Sequence, residues 1–315
     1  MLEMFEMEFM QRAWLAGLLM ALACPLIGSF LVLRRQSLIG DGLGHIAFAG
    51  VAGGAIAGFS SVISAAIACV LGAIAIERVR AKLSDLADMV LAIFFYCGMG
   101  LAVIFTGLNK EGGFNLSSVL FGSLMTVSSQ DLLIVALLAL AIISFVMIFY
   151  RPLQYLTFDE TSAKVNGLPV HGLSLLLAVL TALTIALSMR IVGLLLVSAM
   201  MVIPVACALQ TARSFAGTIL QSIFYGIISV ALGLSLSYYA NLAPGGTIVL
   251  ASTILFILSL LLGRTKKMRP APDPIHCKVC EEEEQELKCN HPEYPEYKKE
   301  RGHVGHHHGR KNLED

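Results

Sequence analysis

Nine apolar runs follow one another along this chain, and they restrict its fold more than any motif does. They cover residues 13–33, 46–59, 62–76, 86–108, 132–150, 173–189, 191–209, 216–239 and 247–262. Several exceed the roughly 18 apolar residues that mark a membrane-spanning helix. In hydrocarbon every backbone N–H and C=O must be bonded within the protein, so long continuous runs of this kind cross as helices. The fold class expected is all-α: a polytopic membrane helix bundle. It has eight or nine transmembrane helices, depending on whether the shortest runs cross completely. Mean hydropathy of +0.77 and 57% hydrophobic residues agree with that class.

Charge divides the chain in two. Eleven of the 22 Lys+Arg and eleven of the 22 Asp+Glu lie after Gly263. Residues 1–263 therefore read as a transmembrane domain and residues 264–315 as a polar tail. The opening "MLEMFEMEFMQR" lacks a basic n-region, so the first apolar run reads as a retained helix rather than a cleaved signal. Cytoplasmic loops carry an excess of Lys and Arg. Basic clusters at Arg34–Arg35, Arg78–Arg80–Lys82, Arg151–Lys164, Arg213 and Arg264–Lys267 follow alternate runs, whereas "GFSS", "NKEGG", "MRIV" and "NLAPGG" are nearly uncharged. Lys110 and Arg190 are the exceptions. Nine crossings then place the N-terminus outside and the C-terminus in the cytoplasm. The segment "LSSVLFGSLMTVSS" is too short to span and reads as a surface or re-entrant helix.

Asp41 and His45 stand at the start of the second run, in "IGDGLGHIAFAGVAGG". An Asp at mid-bilayer costs about 2.5–3.5 kcal/mol on insertion scales. A position at headgroup level, six residues after Arg35, costs less. At helical spacing the two side chains point the same way. Gly40, Gly42 and Gly44 argue against a firm helix and suit an unwound stretch lining a cavity. A carboxylate and an imidazole are half of a four-coordinate site for a divalent metal such as zinc. Two copies of the chain facing across a two-fold axis would complete it. His171 lies at a membrane boundary, and Cys24, Cys69, Cys97 and Cys207 read as small buried packing residues.

The stretch "LRRQSLIGDGLGHIAFAGVAGG" resembles the R-R-x-S-L-x-G-D-x-x-x-H-x-x-x-x-G signature of the integral-membrane permeases of zinc and manganese ABC importers. Further matches are "LFGSLMTVSSQDL", "LTFDETSAKVNGLPV", "IVGLLLVSAMMVIPVACA" and "LAPGGTIVL", in the family's order, from about Phe9 to Gly263. The resemblance implies the fold of vitamin and siderophore importer permeases without their first helix. It implies a homodimer, a cytoplasmic ABC ATPase dimer, an extracytoplasmic solute-binding protein, and a multi-pass location in a prokaryotic plasma membrane. Lipid is the remaining contact, and no nucleic acid is expected. By the same resemblance Asp41 and His45 line the ion path. The polar segment 157–168 corresponds to the coupling helix that docks on the ATPase, through Asp159, Glu160, Thr161, Ala163, Lys164 and Gly167. On the residues alone, Asp159 or Thr161 suits an N-cap, and Gly167 with Pro169 suits a stop.

No phosphate-binding G-x-x-x-x-G-K-[ST] loop is present, nor even a Gly-Lys pair, so ATP hydrolysis has to occur in a partner. No nucleophile and base are paired within the runs. The chain is therefore expected to be a transporter subunit and not an enzyme, with no cofactor besides its transported cation. The tail carries His276, Cys277, Cys280, Cys289 and His291, a possible Cys/His metal site, and a second cluster at His303, His306, His307 and His308. A disordered solubilising tail is the alternative. In a reducing cytosol a disulfide there is disfavoured. Soft thiolates favour zinc over manganese. Zinc import is thus the expected function, with manganese or iron import, or a membrane metal sensor acting through the tail, as alternatives. A siderophore or cobalamin path is disfavoured, because a large ligand needs a wide channel without ion ligands.

Overall fold

A computed structural model describes residues 8–83, 86–108, 120, 122, 127–240 and 242–264. Ten α-helices are found among them: α1 Glu8–Leu33, α2 Ile39–Ile56, α3 Ser61–Lys82, α4 Ala87–Leu108, α5 Ser129–Phe158, α6 Glu160–Val165, α7 Val170–Val192, α8 Leu194–Thr211, α9 Phe215–Ala240 and α10 Pro244–Arg264. All except the six-residue α6 are long and apolar enough to cross a membrane, which gives nine candidate spans. The expected surface or re-entrant helix falls largely outside the described residues, as does the tail after Arg264. In the described part of that segment, Gly122 (φ 66°) lies so near Gly193 and Val192 that a Cβ would collide with their backbone.

The bundle has an inner and an outer set of helices. The α1 span is 72% buried and α2, α7 and α8 are 56–61% buried, whereas the others are 22–33% buried. Helices α2, α3 and α4 pack together on one flank, and α8, α9 and α10 on the other. Helix α1 joins α5, α8 and α9, while α7 bridges α3, α2 and α8. Outer faces carry exposed Leu, Ile, Met and Val, such as Ile93, Val103, Leu137, Met147 and Ile254. In a bilayer that is the ordinary solvent-facing surface. Cys24, Cys69 and Cys207 are buried as expected, but Cys97 is exposed on α4, because its position on that helix points away from α2 and α3.

Local chemistry sets the ends. α5 begins with a capping box between Ser128 and Asp131. It kinks at Phe149 (φ −102°, ψ 19°), three residues before Pro152, whose ring cannot continue the hydrogen-bond ladder. The seventh span starts later than its apolar run suggests. α7 extends through "MRIV", and the chain turns at the single residue Gly193 (φ 89°) before α8. Between α1 and α2 the turn passes through Arg35 at φ 57°, a left-handed conformation that costs a non-glycine residue roughly 1–2 kcal/mol.

Close helix contact comes from small residues, as is common in membranes. A Cβ on Gly28 of α1 would overlap the carbonyl of Met201 on α8. Buried hydroxyls add polar ties: Ser29 Oγ donates to the Pro25 carbonyl at 2.8 Å and lies 3.1 Å from Ser222 Oγ of α9.

α6 is held at both ends. Asp159 Oδ1 accepts from the backbone N–H of Thr161 (2.9 Å) and Ser162 (3.0 Å), and Oδ2 accepts from Ser162 Oγ at 2.5 Å. Gly167 (φ 75°) closes the helix with its N–H on the Lys164 carbonyl at 3.0 Å. The Ser162 hydroxyl, then the Ser162 and Thr161 amides, hold the Asp159 carboxyl below the usual carboxylate range.

Gly28→Val should lower the thermal midpoint of the detergent-solubilised protein. The loss should lie at the upper end of the roughly 1–3 kcal/mol typical of overpacking, because the obstacle is backbone. Gly100→Ala, with nothing within 4 Å of its Cβ, should not lower it. Asp159→Ala should raise amide exchange in α6 several-fold at neutral pH. Because folding depresses the Asp159 pKa, its stabilisation is complete above the unfolded value near 3.9 and is lost as pH falls through the lower folded value. Exchange measured across that range checks the sign.

Candidate metal path

α2 begins at Ile39, seven residues before its apolar run, and so takes in Asp41 and His45 as helical residues. The unwound stretch expected from Gly40, Gly42 and Gly44 is not found. Each glycine instead meets a neighbour. Gly40 faces Ser198 and Met201 of α8, with both contacts at 3.8 Å from an ideal Cβ. Gly42 faces the Leu91 carbonyl and Phe95 amide of α4, each at 3.8 Å. A Cβ on Gly44 would overlap Leu194. Packing between α4 and α8, and the need to bond the backbone internally, outweigh the roughly 1 kcal/mol by which glycine weakens a helix.

Asp41 sits in the first turn of α2, where the helix dipole favours a carboxylate. His45 is one turn further on, along the same face. Both are half-buried. The His45 ring packs edge-on against Phe95 of α4, with centroids 4.7 Å apart and planes at 85°. Beyond His45, Phe48 and Ala49 pack with Ala102 and Phe105 in a small apolar cluster between α2 and α4. On the other side a cavity of about 530 Å³ is lined by Arg34, Arg35, Arg80, Asp88 and Leu91, among others. Leu91 also packs under Gly42, which brings that cavity beneath the first turn of α2.

Among the described residues, no group of three or more His, Cys, Asp or Glu side chains is placed to hold a metal ion. One chain therefore presents one carboxylate and one imidazole here. His171 is exposed at the start of α7. His276, Cys277, Cys280, Cys289, His291, His303, His306, His307 and His308 lie outside the described residues.

The six residues expected at the ATPase contact divide by environment. Asp159, Thr161, Lys164 and Gly167 are exposed, and Glu160 is partly covered. Ala163 is only 1% exposed, so it anchors α6 to the bundle instead of facing outward.

The sequence marks Arg34 and Arg35 as a topology signal and as part of the permease signature, with no sign of a buried contact. The Arg34 side chain is in fact 4% exposed. Its Nη2 donates to Ser174 Oγ of α7 at 2.8 Å and lies 3.7 Å from Glu160 Oε2. Arg80 Nη1 lies 3.1 Å from Glu77 Oε2. With its amide turned to suit its neighbours, Gln36 accepts from Arg80. Burial and the nearby Arg80 charge lower the Arg34 pKa, against Glu77 and Glu160, which raise it. Burial would raise Glu160, but Lys164, Arg34 and Arg80 outweigh it and hold that carboxyl below its ordinary value. Phe95 beside His45 gave no signal either, since nothing in its own run sets it apart.

The model of the ABC 3 transport family matches residues 6–263. The chain is 32% identical over 257 residues to the high-affinity zinc uptake system membrane protein ZnuB of Haemophilus influenzae, covering 82% of this chain and 98% of that one. It is 31% identical over 258 residues to the manganese transport system membrane protein MntC of Listeria innocua, covering 82% and 92%. The solved structure of PsaBC from Streptococcus pneumoniae in complex with Fab matches with a TM-score of 0.72 and 30% identity, covering 88% of this chain and 97% of that one. The chain belongs to the ABC 3 transport family: it is a multi-pass permease subunit of a metal-ion ABC transporter, with ATP hydrolysis carried by a separate partner.

Proposed function

We propose that this chain is the permease of a zinc importer and forms the ion path with a second copy of itself. The observation that carries the reading is the Asp41–His45 pair on one face of α2, half-buried within a span. One chain supplies two donors there. A two-fold pair supplies two carboxylates and two imidazoles, enough for tetrahedral zinc. The two carboxylates also offset the charge of a dication where water is scarce, and an unpaired charge in the bilayer is expensive.

In this reading a solute-binding protein delivers the ion on the outer side. Asp41 and His45 of both copies replace part of its water shell before it is released inward. ATP binding and hydrolysis in the partner shift the equilibrium between outward and inward states. α6 is the docking element for that partner. The permease lies in a prokaryotic plasma membrane with its N-terminus outside and its tail in the cytosol, and residues 264–315 form a separate polar segment.

The choice of zinc rests on the tail, where Cys277, Cys280, Cys289, His276 and His291 offer soft thiolate and imidazole donors that suit zinc, with His303, His306, His307 and His308 as a further imidazole set. Manganese import is the second reading. It is supported by the relative named for manganese, which is as similar as the one named for zinc.

Asp41→Asn and His45→Ala should each reduce metal accumulation to background while the ATPase still copurifies; transport persisting in both would remove the ligand assignment. Metal binding should weaken on acidification, since it needs an ionised carboxylate and a neutral imidazole. Elemental analysis of a deletion strain separates the cargoes: cell zinc falls in the first reading, manganese in the second. A chain ending at Arg264 should continue to transport, and loss of uptake there would favour a sensor working through its tail.

A further inference from the structure

Beside the buried Ala163, a charged contact ties α6 to the end of α1, next to the turn that leads into α2. Helix α6 packs on α5 and α7. Its first residue, Glu160, reaches further. One carboxylate oxygen lies 2.9 Å from Lys164 Nζ on the same helix, and the other lies 3.7 Å from Arg34 Nη2 at the end of α1. Arg34 is buried and also held by Ser174 of α7.

Two residues on, Gln36 belongs to the same cluster. Its side chain accepts from Arg80, which is paired to Glu77 on α3. Its backbone N–H is bonded to the Leu31 carbonyl at 2.9 Å, and its carbonyl accepts from the N–H of Ile39 at 3.0 Å. Ile39 is the first residue of α2, two before Asp41. Between Arg34 and Gln36 lies Arg35 in its left-handed turn, a conformation that persists when the flanking residues are fixed. The link thus runs from Glu160 to the Arg34 side chain and then along the backbone through Arg35 and Gln36 to the first turn of α2, with Arg80 and Glu77 bracing Gln36 from α3.

We propose that the Arg34–Glu160 contact is a positioning element that carries displacement of α6 to the Asp41–His45 turn of α2, linking ATP hydrolysis to movement of the ion. It rests on the reading of α6 as the ATPase-docking helix. Neither side chain touches the metal. Packed elements with discrete arrangements transmit motion through such buried contacts, whereas exposed ion pairs contribute little. The burial of Arg34 puts this pair in the first category on one side, while the half-exposed Glu160 leaves it free to change partner.

The test uses the full permease with its own ATPase, reconstituted in lipid vesicles. Copurified ATPase, ATP hydrolysed and metal taken up are measured for Arg34→Gln, Glu160→Gln and the double variant. Each single variant should assemble and lower the metal moved per ATP by at least tenfold. The double variant should lose no more than the worse single, since one shared contact is removed. An unchanged ratio of metal to ATP overturns the proposal. So does a parallel fall in hydrolysis and uptake, or losses that multiply in the double variant. If Arg34→Gln does not accumulate in the membrane, Glu160→Gln decides alone, because its side chain is 40% exposed. Val165→Asp, at a site 84% exposed on α6, tests the docking reading separately: normal ATPase copurification there removes the docking reading whatever the Glu160 variant does.

Discussion

Hydrocarbon offers no hydrogen bonds, so a segment crossing it must bond its own backbone. In this chain that requirement overrides the local preference of individual residues. α2 is the clearest case. Its first seven residues include three glycines, a composition that would not hold a helix in water, yet the segment is helical from Ile39. At Gly44 the missing side chain makes room for Leu194 of α8, while Gly40 and Gly42 lie at ordinary contact distance from α8 and α4. The helix that results fixes the one-turn spacing of Asp41 and His45 and sets them on a common face.

Where the backbone departs from helix, neighbours cover it. Gly193 breaks the chain between α7 and α8, and Gly122 comes so close there that a Cβ on it would collide with the backbone of Val192 and Gly193. The Arg35 turn lies just past the α1 span, and the Arg35 side chain is exposed there. Charges follow the same logic. Arg34, Arg80, Glu77 and Glu160 gather at the ends of helices and are partnered there. Asp41 and His45 stand on α2 itself, with Phe95 as an apolar wall beside the imidazole.

A carboxylate and an imidazole suit several divalent metals, and members of one family bear names for both zinc and manganese transport. This is consistent with ligand chemistry, because oxygen-plus-nitrogen sets do not discriminate sharply without a fixed geometry. In the proposed dimer, discrimination depends on how the second copy sets distance and coordination number, or on soft donors elsewhere, such as the thiols proposed as ligands in the tail.

The number of spans, their order and the placement of a carboxylate–imidazole pair at the start of the second were legible in the sequence. Apolar length, charge alternation and an i, i+4 spacing are one-dimensional properties. So were the cap and stop of α6, since Asp159 and Gly167 act on residues within one turn. What the tertiary structure decided is long-range. It turned Gly40, Gly42 and Gly44 from helix breakers into contact points, faced Cys97 outward and Ala163 inward, and set Phe95 against His45. It also moved Arg34 from a topology marker to a buried partner of Glu160. None of these is readable from one segment, because each depends on which helix packs alongside, and only folding brings residues more than a hundred positions apart within bonding distance.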